Sequence, residues 1–182
     1  MIDKQLVIAQ IKDITEAKII KEIYLSSFPK DERRPWQSII DLSFKCSHPL
    51  FQLAGIYFEG RLIGMITTWN FEDFVYIEHF AIDISHRNKG IGCFVLNILR
   101  NRIGNKPLIL EAEPSETSVE VSRRIKFYQR NGFEVIDSSY IQPPYSKNGN
   151  SVNLWLLSTT AISPVFVTNT LYKYVYCTDK LL

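Results

Sequence analysis

A strand that leads through a short turn into a glycine corner and then a helix is the feature that most constrains this chain. The strand is Tyr76-Ile77-Glu78-His79-Phe80-Ala81-Ile82, the turn runs from Asp83 to His86, and the corner is Arg87-Asn88-Lys89-Gly90-Ile91-Gly92. From Gly90 the apolar period is helical. Ile91, Phe94, Val95, Ile98, Leu99 and Ile103 line one side; Asn97, Arg100 and Asn101 line the other. Gly104 stands where a helix commonly ends. A helix start leaves about four backbone N–H groups unpaired, and the helix dipole adds partial positive charge there. Gly90 and Gly92 let an anion approach the main chain closely, while Arg87 and Lys89 add full charges. The segment predicts a cradle suited to a pyrophosphate. The plain alternative is that the glycines only turn the chain. A dinucleotide fingerprint fails, because its third glycine position is Val95. A Walker loop fails too, because no Gly-Lys-Ser/Thr triplet occurs.

Around this unit the periods alternate. Leu6 to Ile11 predicts a strand, and Asp13-Ile14-Thr15-Glu16 a capped helix start followed by Ile19, Ile20, Ile23 and Tyr24 at helical spacing. Phe28-Pro29 stops that helix. Pro35 opens a second, with Trp36, Ile39, Ile40 and Phe44 as its buried face. Phe51 to Phe58 and Leu62 to Trp69, split by Glu59-Gly60-Arg61, predict an antiparallel hairpin. The next strand is Phe74 to Ile82, with Phe74, Tyr76, Glu78, Phe80 and Ile82 on one face and Val75, Ile77, His79 and Ala81 on the other. Leu108 to Ala112 is a buried strand. Val121, Ile125 and Tyr128 mark the inner face of a helix ending at Asn131-Gly132, and Phe133 to Ile136 and Val152 to Leu157 are late strands. The tail around Leu171 to Tyr176 suits either helix or strand. The expected fold is α/β (α+β), a mixed sheet with helices on its faces, in one domain spanning 1–182 with a core over 5–158 and an extension over 159–182.

Composition excludes several classes. The net charge of +2 is too small to imply nucleic acid. No run approaches the ~18 apolar residues that span a membrane, and Met1-Ile2-Asp3-Lys4-Gln5 lacks a signal-peptide layout. Cys46, Cys93 and Cys177 form no CxxC pair, so no metal site is expected, and a reducing, cytoplasmic setting is.

The corner motif in its context, Arg-x-x-Gly-x-Gly after a strand ending Phe-Ala-Ile, resembles the acetyl-CoA motif of the GNAT superfamily of N-acetyltransferases, in particular its bacterial members. A second stretch, Arg123-Arg124-Ile125-Lys126-Phe127-Tyr128-Gln129-Arg130-Asn131-Gly132-Phe133, looks like the later helix of that family. The order of elements fits as well. The resemblance implies a mostly antiparallel sheet with a splayed opening between its fourth and fifth strands. It implies an enzyme that moves an acetyl group from acetyl-CoA to a primary amine of a small molecule or peptide, by direct attack on the thioester. The alternative is a non-catalytic acetyl-CoA-binding sensor or interaction module. A nucleotide-diphosphate binder of another fold is a third reading.

The resemblance also assigns roles. Backbone groups of Phe80, Ala81 and Ile82 would pair with the pantetheine arm. Amides of Arg87, Asn88, Lys89, Gly90, Ile91 and Gly92 would hold the pyrophosphate. Ser122 and Arg123 would face the adenosine 3′-phosphate, with Arg124 and Lys126 nearby. Tyr128 corresponds to the family's general acid, since a phenol near the sulfur can protonate the departing thiolate. The alternative for Tyr128 is a core tyrosine, since it shares its helix face with Val121 and Ile125. The base that deprotonates the amine is assigned to Glu78, a carboxylate among aromatic neighbours whose proton affinity should rise on burial; an exposed or salt-bridged strand residue is the alternative. Glu111 and Glu113 are further carboxylates near the opening, His79 is expected to be structural, and His86 lies beside the cradle. The acceptor is expected at Phe28 to Phe44 and Gln142 to Asn150. There Asp31 and Glu32 would suit a cation, Arg33 and Arg34 an anion, and Tyr140 and Tyr145 an aromatic wall. The tyrosines of the tail would pack on their own domain or on the second subunit of a homodimer.

Overall fold

The computed structural model describes residues 5–11, 13–45 and 48–177; Cys46 and Met1 to Lys4 lie outside them. The chain divides into two compact units, Met1–Pro29 with Pro35–Lys106, and Lys30–Arg34 with Pro107–Leu182.

In the first unit, β1 (Leu6–Gln10), β2 (Phe51–Phe58), β3 (Arg61–Asn70) and β4 (Val75–Ile82) pair in sequence order, each antiparallel to the next. Glu59 and Gly60 both take positive φ, 52° and 75°, the left-handed pair whose twist suits a tight hairpin. Helix α1 (Ile14–Ser27) starts where Asp13 Oδ1 accepts from the N–H groups of Thr15 and Glu16 at 2.8 and 3.0 Å. Helix α2 (Trp36–Ile40) follows Pro35 and continues as a π-helical turn, Asp41–Lys45. That turn corrects one expectation: Phe44 is 40% exposed, because the wider turn breaks the 3.6-residue period that would have buried it. Helix α3 (Ile91–Ile103) closes at Gly104 with φ 65°. Ile20, Tyr24, Ile39, Ile56, Met65, Tyr76 and Val95 are fully buried in this unit. Each such side chain contributes about 1.5–3 kcal/mol of burial.

A β-bulge sets the frame of β4. Thr67 pairs with His79 and Thr68 with Ile77, so Glu78 is an extra residue opposite none. The strict alternation expected over residues 74–82 therefore fails at Glu78. Farther along, Gly64 of β3 packs so tightly on β4 that a Cβ there would stand 2.6 Å from the Ala81 carbonyl oxygen. We expect Gly64→Ala to destabilise the protein by about 1–3 kcal/mol, as overpacking against backbone does; an unchanged denaturation midpoint would contradict this packing.

In the second unit, β5 (Leu108–Ala112), β6 (Glu134–Asp137) and β9 (Trp155–Ser158) form a sheet in which β9 is central and antiparallel to both neighbours. A small hairpin joins β7 (Ile141–Gln142) to β8 (Val152–Asn153), so the expected strand 152–157 is interrupted at Leu154. Helix α4 (Val119–Arg130) begins one turn before the basic cluster, where the Ser118 hydroxyl accepts from the Val121 N–H at 3.1 Å. The tail is helical: α5 (Pro164–Leu171) runs into a π-helical turn, Tyr172–Tyr176. In both units helices accompany mostly antiparallel sheets, in agreement with the fold class expected from the periods.

Candidate active site

The glycine corner carries the expected cradle in its main chain. Asn88 and Gly90 take left-handed φ of 61° and 77°. Such alternation turns successive N–H groups toward one point, a concavity that suits an anion. Among the described residues, the N–H groups of 88–92 donate to no main-chain carbonyl, whereas those of Cys93 and Phe94 donate to the Gly90 carbonyl. Nothing stands within 4 Å of where a Gly90 Cβ would be. The charged side chains are engaged with their own loop and with the end of α1. Arg87 Nε donates to the Ile82 carbonyl at 2.7 Å and its Nη2 to Ser27 Oγ at 3.0 Å, while Lys89 Nζ donates to the Ser85 carbonyl at 2.9 Å. Arg87 thus clamps the end of β4 to the corner and still lends it charge. His86 is engaged with Ser85 and Asp83 rather than pointing at the cradle; Ser85 Oγ lies 2.8 Å from its Nδ1.

The bulge brings Glu78 and His79 together, where regular alternation would have sent them to opposite faces. Glu78 Oε2 accepts from the Trp69 indole N–H at 2.9 Å and lies 3.9 Å from His79 Nδ1. His79 also meets Thr67 Oγ1 at 3.0 Å and the Tyr24 hydroxyl at 3.2 Å, between the rings of Tyr24 and Phe28. The Glu78 side chain is 0% exposed although the residue as a whole is partly accessible, so the accessible part is main chain. Trp69 is a partner that strand periodicity does not foresee, because only the bulge puts the two side chains on one side. Phe80, Ala81 and Ile82 follow the bulge, paired on one edge with Ile66, Met65 and Gly64.

In the second unit, Tyr128 is buried on α4 against Phe127 and Phe133, with ring centroids at 5.3 and 5.7 Å. Burial pushes its phenol above the ordinary tyrosine range, and the Arg124 guanidinium partly opposes that. Its hydroxyl makes no hydrogen bond among the described residues. Ser122 lies in the first turns of α4, its N–H bonded to the Ser118 carbonyl at 2.9 Å, and Arg123 is exposed. Arg124 is paired with Glu113 at 2.8 Å.

The segment 30–34 belongs to this second unit. Gln142 Nε2 donates to the Asp31 carbonyl at 3.4 Å and Asn150 Nδ2 to Asp31 Oδ2 at 3.2 Å. Arg34 donates to the Val175 carbonyl at 2.8 Å and lies 4.8 Å over the Tyr145 ring. Its charge is therefore built into the packing of loop and tail. Glu32 is half-buried, and desolvation raises its pKa to about 7, with the Glu113 charge adding to the rise and Arg124 opposing it. The tail contributes directly: Tyr176 donates to Glu111 Oε2 at 2.8 Å, and its ring lies 5.1 Å from that of Tyr145. Tyr140 is buried beside Tyr172, and burial together with the Glu111 charge pushes its phenol far up. Residue type alone marks these tyrosines as aromatic; their partners lie too far along the chain for any local signal. No cluster of three metal-ligating side chains exists among the described residues, and no described helix is long and apolar enough to cross a membrane.

Comparison with known proteins agrees with this arrangement. Residues 51–135 match the acetyltransferase (GNAT) domain family. A protein from Bacteroides thetaiotaomicron assigned to the GNAT acetyltransferase family superposes with a TM-score of 0.82 at 28% identity, over 94% of this chain and 98% of that one. A GNAT family acetyltransferase from Elizabethkingia anophelis with acetyl-CoA bound has a TM-score of 0.59 at 19% identity, over 86% and 99% of the two chains. Arabidopsis thaliana Naa50, in complex with the bisubstrate analogue CoA-Ac-MVNAL, has a TM-score of 0.57 at 18% identity, over 86% and 99%. At their identities the last two show a shared fold. No curated protein matches the chain in sequence.

Proposed function

The chain carries an acetyltransferase domain of the GNAT family, and on that premise we propose that it transfers the acetyl group of acetyl-CoA to a primary amine of a small molecule or peptide. The observation that carries this reading is the row of N–H groups at 88–92 on left-handed Asn88 and Gly90, directly after β4. Acetyl-CoA supplies an activated thioester carbonyl and a thiolate leaving group. The amides of Asn88 to Gly92 hold its pyrophosphate, while the Arg87 N–H, expected among them, is bonded to the Ile84 carbonyl at 3.3 Å, so Arg87 contributes charge alone; the main chain of Phe80, Ala81 and Ile82 pairs with its pantetheine arm. Ser122 and Arg123 take the adenosine 3′-phosphate. Tyr128 donates its proton to the departing sulfur; a phenol held above its ordinary range keeps that proton until a thiolate forms. Glu78 takes a proton from the acceptor nitrogen through a bridging water, since its own carboxylate is enclosed by Trp69 and His79. The reading includes a cytoplasmic setting, in line with the unpaired pattern of cysteines, and a homodimer that would cover the exposed Val165, Phe166 and Tyr174.

The test is direct. The purified protein is incubated with acetyl-CoA and a panel of primary amines and peptides, and thiol release is followed. Turnover on at least one amine is expected. Tight acetyl-CoA binding with no turnover on any would replace the enzyme with a binding module.

A further inference from the structure

An enclosed carboxylate needs something in place of water. The Glu78 side chain is 0% exposed, so its carboxylate has given up its hydration. A buried charge is costly unless hydrogen-bond donors replace the water it loses. The Trp69 indole N–H, 2.9 Å from Oε2, is one such donor. The bulge brings a second polar group to the same side, and that group is His79.

His79 is held at both ring nitrogens. Nδ1 lies 3.0 Å from Thr67 Oγ1 on β3 and 3.9 Å from Glu78 Oε2. Nε2 lies 3.2 Å from the Tyr24 hydroxyl on α1. The Tyr24 and Phe28 rings stand edge-on to the imidazole, at 86° and 80°, with centroids 4.9 and 5.0 Å away. These rings fix the imidazole plane and leave the placing of its proton as the freedom that remains. A hydroxyl can donate or accept, so Thr67 and Tyr24 accommodate either tautomer. The Glu78 carboxylate does not. Its negative charge faces Nδ1 and favours a proton there over a lone pair. Nδ1–H then donates to Thr67 Oγ1 with its positive edge toward Glu78, and the Tyr24 O–H donates to Nε2. Tyr24, Thr67 and His79 are all buried, so salt and water screen this attraction little.

We propose that His79, through a proton on Nδ1, is the positioning residue of the Glu78 base; this rests on the acetyltransferase reading for the base itself. His79 acts through Glu78 and not on the acceptor. With the Trp69 indole it replaces the water that the carboxylate has lost. It also pins that carboxylate in the orientation from which it takes the acceptor's proton. Thr67 and Tyr24 hold the imidazole in turn, one at each nitrogen. The purely structural part expected of His79 from strand alternation is thereby replaced, because the bulge sets it beside Glu78.

Nitrogen NMR on the labelled full chain reads the tautomer, and steady-state kinetics on two isosteres reads its consequence. In the wild type Nδ1 is expected to carry a proton. Glu78→Gln removes the charge and should let a proton appear on Nε2 at the expense of Nδ1. His79→Asn places an amide N–H near the position of Nδ1, and His79→Gln places one near that of Nε2. Both lose the ring, so a merely structural role predicts the same loss from each. The positioning role predicts a kcat at least ~10-fold lower in His79→Gln than in His79→Asn, since a displacement of about 1 Å can cost about 10²-fold. KM for the amine should be unchanged in both. If Nδ1 is bare in the wild type, or if the two isosteres lose kcat equally, the proposal is overturned while the acetyltransferase reading stands. If neither isostere folds, the comparison of the wild type with Glu78→Gln decides, and an unmoved tautomer overturns the proposal. If the wild type turns over no amine, the acetyltransferase reading fails and takes the role of His79 with it, whatever the tautomer.

Discussion

Replacing Gly90 with valine should weaken acetyl-CoA binding at least ~10-fold, equivalent to about 1.4 kcal/mol. Two effects act together. Gly90 has φ 77°, and a left-handed backbone costs an L residue about 1–2 kcal/mol, with β-branched side chains among the worst placed. The valine methyls would also occupy the space before the amides of 88–92, which is open to 4 Å around the Gly90 Cβ position. The first effect lowers stability, and the second blocks the ligand. Gly60 separates them. It has φ 75° and equally open surroundings, but sits in the β2–β3 turn. Gly60→Val should therefore lose comparable stability and keep its affinity. If calorimetry finds the two variants binding acetyl-CoA equally well, the cradle is assigned to the wrong segment.

Tyr128→Phe should lower kcat by about 10²–10⁴, the usual worth of a positioned general acid, with acetyl-CoA affinity unchanged. The structure makes this substitution informative. The Tyr128 hydroxyl has no hydrogen-bond partner among the described residues, so removing it breaks no internal bond. The ring contacts with Phe127 and Phe133 survive in phenylalanine. A melting temperature close to the wild type is expected beside the lost rate. A tyrosine that only fills the core would leave kcat where it was, provided chemistry limits turnover, and that result would remove Tyr128 from the mechanism.

Elements with a clean period were legible in the sequence. The Asp13 cap, the Glu59-Gly60 hairpin, the inner face of Val121, Ile125 and Tyr128, and the stop at Gly104 follow from local chemistry that needs no distant partner. What was hidden depends on tertiary context. The Glu78 bulge is a property of how β4 pairs with β3. The exposure of Phe44 comes from a π turn that no local residue announces. The acceptor segment showed acidic and basic residues with no way to rank them. Only folding shows Arg34 spent on the Val175 carbonyl and the Tyr145 ring, with partners 141 residues away in one case. Asp31 is likewise held by Asn150, 119 residues on. Glu32 reads as a surface glutamate, whereas the fold half-buries it, and that desolvation, with the Glu113 charge, raises its carboxyl well above the usual range.

The extra residue in β4 also makes chain length at that point a matter of phase. Substituting Glu78 would change a carboxylate but leave every later residue of the strand facing as it does. Removing Glu78 itself would leave Ile77 opposite Thr68 and His79 opposite Thr67, so Phe80, Ala81 and Ile82 would keep their faces, whereas closing the bulge without a deletion would slip the strand by one residue and exchange them. The facing of the strand's last residues is therefore carried by its pairing with β3, and a three-base deletion at Glu78 should cost the carboxylate while leaving the residues after it facing as they do.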